Sequence, residues 1–117
     1  MGQVNGFGGF FFRANDPEKL AAWYAEHLGI TGPGTWRPDE GVAVFAPFAA
    51  DTDYFGDPSR QWMLNFRVSD LAGLIADLQA KGIAVTTKAE WDSEIGRFAR
   101  IHDPEGNPIE LWEPAQT

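Results

Sequence analysis

Arg100-Ile101-His102-Asp103-Pro104-Glu105-Gly106-Asn107-Pro108-Ile109-Glu110-Leu111-Trp112-Glu113-Pro114 decides how the chain is built. Its centre, Asp-Pro-Glu-Gly-Asn, is turn chemistry. Pro104 pre-sets its own φ, and Gly106 and Asn107 tolerate positive φ. The runs on either side alternate, which predicts a β-hairpin with strands over Arg97–His102 and Pro108–Trp112. Within the second strand Ile109 and Leu111 share one face, and Glu110 and Trp112 share the other. A carboxylate in that setting marks either an ordinary wet face or a site.

Working outward, Trp62-Met63-Leu64-Asn65-Phe66-Arg67-Val68 reads as another strand. Ser69 and Asp70 then cap a helix carrying Leu71, Leu74, Ile75 and Leu78 on one face, and Gly82 ends it. Ile83–Lys88 is a further strand candidate, and Gly96 a turn residue ahead of the hairpin. The front of the chain has the same grammar. Phe7–Ala14 reads as an aromatic-rich strand. Asp16, Pro17 and Glu18 open a helix with Leu20, Trp23, Tyr24, His27 and Leu28 on one face, ended by Gly29. Asp16 and Asp70 stand 54 positions apart, Gly29 and Gly82 stand 53 apart, and Phe12-Arg13-Ala14 matches Phe66-Arg67-Val68. Such a repeat is a stronger signal than any single motif. Between the copies, Gly32-Pro33-Gly34 predicts a turn, Thr35–Pro38 a short strand and Val42–Ala46 a better one. Pro47–Arg60 is a long polar–aromatic loop. The expectation is an α+β fold of two tandem βαβββ units, about 7–60 and 61–114, forming one domain over 1–117, their mixed sheets curled around a central cleft.

With 117 residues, 44% apolar content, five Trp, two Tyr and nine Phe, the chain has the material for one core. The absence of cysteine excludes disulfides, thiolate metal sites and cysteine nucleophiles, and fits a cytoplasmic protein. No run approaches the roughly 18 apolar residues of a membrane span, and Met1–Gly6 lacks the basic start of a signal peptide. A net charge of −8 with scattered Lys and Arg argues against nucleic acid. A small molecule or a protein is the expected partner. Ser59, Ser69 and Ser93 lack the surroundings of a nucleophile elbow, and Gly6-Phe7-Gly8-Gly9 precedes a strand, not a helix, so it forms no phosphate loop. His27 suits the C-terminal end of its helix through the dipole. His102 sits at a turn, sharing a strand face with Phe98 and Arg100.

The stretches Asn15–Ile30 and Ile101–Pro114, together with the repeat, resemble the vicinal oxygen chelate superfamily, which includes glyoxalase I, bleomycin-resistance proteins and extradiol dioxygenases. The resemblance spans nearly the whole chain. It is specific for fold and poorly specific for reaction. It implies a cleft on the sheet faces turned away from the helices, and commonly a homodimer. It also implies divalent-metal ligands from the first and last strands of each unit. Carried onto this chain, those positions are Gly9, Met63, Glu110 and the stretch around Val44–Phe48. Glycine offers no ligand, a thioether is a poor donor to a borderline ion, and Val44–Phe48 holds no His, Asp or Glu. Glu110 is the one surviving ligand position, so no metal or other cofactor is expected there.

Strand parity sends Leu64, Phe66 and Val68 toward the helix, and Met63, Asn65 and Arg67 toward the cleft. In the first unit it sends Phe10, Phe12 and Ala14 inward, and Gly9, Phe11 and Arg13 toward the cleft. The candidate ligand-binding set is therefore Gly9, Phe11, Arg13, Met63, Asn65, Arg67, Glu110 and Trp112, with Trp36, Tyr54, Phe55, Trp62 and Trp91 as further rim aromatics. Arg13, Arg67 and Asn65 are the expected neighbours of Glu110. No catalytic residue is identifiable; Glu110 is the best candidate, as a general base. Asp51–Trp62 is the expected lid or interface segment. The leading reading is a metal-independent small-molecule-binding protein. The alternatives are a lyase, isomerase or dioxygenase with a divalent ion on non-standard ligands, a vestigial and merely filled metal position, and an interaction module.

Overall fold

The computed structural model of the chain describes residues 2–30 and 35–115. The turn expected at Gly32-Pro33-Gly34 lies outside them. Two helices and a three-stranded sheet make up the regular structure: α1 (Pro17–Leu28), β1 (Leu64–Arg67), α2 (Leu71–Ala80), β2 (Gly96–His102) and β3 (Pro108–Pro114), with a 3₁₀ turn at Ala89–Trp91. The sheet order is β1-β3-β2. β3 runs antiparallel to β2, with Arg100 opposite Glu110 and Phe98 opposite Trp112. It runs parallel to β1, with Asn65 opposite Glu110 and Arg67 opposite Trp112. The fold is α+β with a mixed, open sheet.

Both helices start where the sequence says. The Asp16 carboxylate accepts from the Lys19 amide at 3.1 Å, and Gly29 takes the left-handed conformation at φ 69° that ends α1. Asp70 accepts from the Gly73 amide at 3.2 Å. Asp70 itself adopts φ 54°, and a Cβ on Gly73 would press on its carboxylate, so a larger residue there would have to displace the capping side chain. Carboxylates from the second half reinforce both starts. Glu113 of β3 accepts from the Leu71 amide at 2.6 Å. Glu105 of the hairpin turn accepts from the amides of Asn15 and Asp16 at 2.7 and 3.0 Å. Negative charge at a helix N-terminus is favourable to the helix dipole.

The core lies between the helices and one face of the sheet. Leu20, Tyr24, Leu71, Leu78, Ala99, Ile101, Ile109 and Leu111 are buried, with Leu64, Phe66, Leu74, Ile75, Ile83 and Val85 packed around them. Leu78, Ile101, Ile109 and Leu111 are essentially inaccessible; burying each stabilises the fold by about 1.5–3 kcal/mol.

The hairpin turn is the densest polar point of the structure. Asp103 is 4% exposed, and its carboxylate accepts four hydrogen bonds. Its donors are the Tyr24 hydroxyl at 2.6 Å, the Asn107 side-chain amide at 2.8 Å, and the backbone amides of Glu105 and Asn107 at 2.9 and 3.0 Å. Gly106 supplies the positive φ of 82°. Arg60 clamps the outside, donating to Asn107 Oδ1 and to the Glu105 carbonyl.

Four expected strands are absent. Phe7–Ala14, Thr35–Pro38 and Val42–Ala46 form none, and Ile83–Lys88 is reduced to a single bridge between Thr86 and Arg100. A strand exists only with a partner. The observed hairpin closes through a local turn, whereas Phe7–Ala14 needs a partner distant in sequence. The parity of that segment holds in part: Phe12 and Ala14 pack against the core and Phe11 is 92% exposed, but Phe10, expected inward, is exposed as well. Among the described residues the first half thus contributes one helix and irregular chain.

Candidate functional site

The sheet face opposite the core carries Asn65 and Arg67 from β1, Glu110 and Trp112 from β3, and Phe98 and Arg100 from β2. The register fixes this, because paired residues share a face. Glu110 is at the centre and is 8% exposed. Its Oε1 accepts from Asn65 Nδ2 at 2.7 Å. Its Oε2 accepts a short hydrogen bond from the Tyr54 hydroxyl. Arg100, also 8% exposed, stands across the strand pair from it. The Arg100 guanidinium donates through Nη2 to the Tyr54 carbonyl at 2.9 Å, while its buried Nε has no partner. It lies 4.9 Å from the Tyr54 ring centroid and 5.6 Å from that of Trp91, which are cation–π distances.

Tyr54 therefore faces a carboxylate at its hydroxyl and a cation at its ring. Burial, and then the hydrogen bond and charge of Glu110, push its hydroxyl up to about 12, partly offset by Arg100. The phenol stays neutral and donating throughout the ordinary pH range. Phe48 stacks on it at 5.8 Å, and Trp91 meets it edge-on at 6.5 Å. One row further along, Phe98 and Trp112 are parallel at 6.2 Å, and Trp112 Nε1 donates to the Ile95 carbonyl at 3.0 Å. Buried charged groups among aromatic walls are the usual makings of a small-molecule site.

Asn65, Glu110 and Trp112 are brought onto one face, with Met63 half-buried just ahead of β1. Arg67 belongs to the same face but is engaged elsewhere: it donates to the carbonyls of Asp39 and Val42 at 2.6 and 2.5 Å. Gly9, Phe11 and Arg13 lie on the exposed N-terminal segment. No described hydrogen bond, ion pair or ring contact joins them to Glu110. The expected arginine neighbours, Arg13 and Arg67, are thus replaced by Arg100, and Tyr54 supplies a donor that parity could not place. Arg100 was within reach of the sequence: a hairpin closing over Asp103–Asn107 sets it opposite Glu110. Tyr54 comes from an irregular loop, where no periodicity points. His102 ends β2 in an exposed position. Partial burial and the Arg100 charge hold its imidazole below the usual value.

The residues at the family's metal positions do not fit a divalent ion. Gly9 and Met63 supply no suitable donor, and both Glu110 oxygens are already engaged by neutral donors. Among the described residues no three His, Asp or Glu side chains converge. Two surface depressions of about 410 and 400 Å³ lie elsewhere, around Ser69–Ala72 with Arg97, and between α2 and Thr87–Asp92.

Residues 9–112 match the family described as a glyoxalase-like domain. The chain belongs to that family. It is thereby a member of the vicinal oxygen chelate superfamily. This glyoxalase-like domain is similar to TnmS3, an antibiotic binding protein from Streptomyces sp. CB03234, at 29% identity and a TM-score of 0.64. That match covers 96% of this chain and 98% of the other. It is also 31% identical to a glyoxalase/bleomycin resistance protein from Streptomyces sp. CB03234, with a TM-score of 0.53, over 85% of this chain and 92% of the other. No curated protein matches it.

Proposed function

We propose that this domain binds a small, partly aromatic molecule on the Glu110 face and does so without a metal at the family's usual centre. The observation that carries the reading is Glu110 itself. It is a buried carboxylate on the face turned away from the core, held by Asn65 and Tyr54, beside a buried arginine and a row of aromatic rings. A structural face has no need of two buried charged side chains, which are costly to desolvate. The likeness to an antibiotic binding protein supports binding over turnover. In this role the domain would act by sequestering its ligand.

The two-unit βαβββ arrangement and a homodimer belong to the same proposal. The 54-residue repeat supports the first. The exposed Val4, Phe7, Phe11, Val42, Val44 and Phe45 support the second, since large apolar surface usually marks an interface.

The test is a titration of the purified protein with a panel of planar aromatic compounds. Glu110→Gln is expected to weaken a hit by at least about tenfold, as expected when a buried partner is lost, and Asn65→Ala, at an exposed residue, by less. Hits indifferent to both substitutions overturn the site. Elemental analysis addresses the rival metal-dependent enzyme: a stoichiometric divalent ion, removed by chelator together with binding, would establish it in place of the metal-free reading.

A further inference from the structure

We propose that Tyr54 is an internal occupant of the recognition slot, and that the ligand it stands in for is a neutral phenol, with an acceptor group placed to meet Arg100. This deepens the binding role proposed above and rests on it. Tyr54 makes the contacts expected of a bound aryl ligand. Its hydroxyl donates to Glu110 Oε2, its ring lies against the Arg100 guanidinium and stacks on Phe48, and its carbonyl accepts from Arg100 Nη2. The surrounding loop is otherwise bonded mostly to itself, with Phe55 against Phe48. Short turns close at Ala49–Thr52, Asp53–Gly56 and Asp57–Arg60, and Asp51, Asp53 and Gly56–Ser59 are exposed. Besides Tyr54, the other described side-chain anchor of this loop on the hairpin is Arg60. If this segment leaves, it uncovers an acceptor, a cation and the Trp91 ring.

The chemistry selects the ligand class. Glu110 has one oxygen taken by Asn65, and its second accepts a proton donor. The Arg100 Nε is buried and has no partner, so the guanidinium beside Tyr54 keeps a donor that Tyr54 does not use. A phenolate would set negative charge against Glu110, and a plain hydrocarbon would leave both buried charged groups unpaired. A neutral hydroxyaryl compound bearing a carbonyl satisfies both. Because Tyr54 is tethered, it competes as an intramolecular ligand, and free ligand meets a slot that is only fractionally open.

The probe is p-cresol, which is the tyrosine side chain as a free molecule, with toluene as its hydroxyl-free counterpart. Tyr54→Ala is expected to bind p-cresol and to gain melting temperature with it, with toluene at least about tenfold weaker. Adding Glu110→Leu is expected to abolish that preference. Equal binding of toluene, or a preference that survives Glu110→Leu, overturns the proposal. Should Tyr54→Ala fail to fold, Tyr54→Phe retains the ring and frees only the carboxylate. It is expected to bind p-cresol roughly two- to tenfold tighter than the unaltered chain, and unchanged affinity overturns the proposal. Glu110-dependent binding of non-phenolic aromatics, with indifference to the cresol hydroxyl, sinks this inference and leaves the binding role standing. Loss of all aromatic binding overturns both.

Discussion

The two halves of the chain carry the same sequence pattern and have different structures. Each has an aspartate-capped helix ended near a glycine, and the helices form in both. Only the second half turns its alternating segments into a sheet. A helix satisfies its backbone within itself, so a cap and an apolar stripe suffice once there is something to pack on. A strand does not. The second half has the Asp-Pro-Glu-Gly-Asn turn, which sets β2 against β3 and leaves β3 to receive β1. The first half has no counterpart of that turn, and among the described residues its strand candidates stay unpaired and mostly exposed. It is also held in place by the second half: Tyr24 ends on Asp103, and the entry to α1 is capped by Glu105.

The contrast can be broken most sharply at the turn. Asp103→Ala strips the acceptor from four buried or half-buried donors. A loss of about 3 kcal/mol or more is expected in urea unfolding, since each orphaned donor costs about 1–3 kcal/mol. A loss under 1 kcal/mol would show that the turn does not organise the second half.

A smaller effect is expected where the halves meet. Tyr24→Phe removes one hydroxyl from Asp103 and should cost about 1 kcal/mol. The same substitution should change the alkaline limb of the stability curve. Burial, with the Asp103 hydrogen bond and charge, raises the Tyr24 hydroxyl far above its ordinary value. A group raised in the folded state stabilises fully below its unfolded value near 10 and loses that contribution as pH rises beyond it. Unfolding free energy should fall more steeply above about pH 10 in the unaltered chain than in Tyr24→Phe. Tyr54 acts in the same direction in both proteins, so the difference isolates Tyr24. Parallel curves would show that Tyr24 makes no such contribution.

The smallest effect is expected on the unpaired side. Phe11 is 92% exposed, so Phe11→Ala should change stability by no more than about 0.5 kcal/mol at low protein concentration. A larger loss that grows with protein concentration would show that a second copy covers the segment. The difference between the halves would then belong to the single chain and not to the assembly.

Much of the second half was legible in advance. Turn chemistry located the hairpin, alternation put Ile109 and Leu111 inward and Glu110 and Trp112 outward, and the caps at Asp16 and Asp70 gave both helix starts. The lost strands were misjudged for one reason. Aromatic, alternating segments such as Phe7–Ala14 have the composition of strands, but composition does not supply a partner. Around Glu110, Asn65 followed from parity, because it is a property of one strand. Arg100 needed the register across the hairpin as well, and Tyr54 needed the path of an irregular loop.

The sequence by itself determined the family, the caps, the hairpin and the side of the sheet on which each strand residue stands. These are local properties: turn residues, helical spacing and a period of two. Only the tertiary structure decided which loop residue closes over Glu110. It seated Tyr54 on that carboxylate and turned Arg67 away to Asp39 and Val42. Contacts of that kind join residues tens of positions apart. The chain must first close its loops before such pairs exist, and no short stretch of sequence carries a record of them.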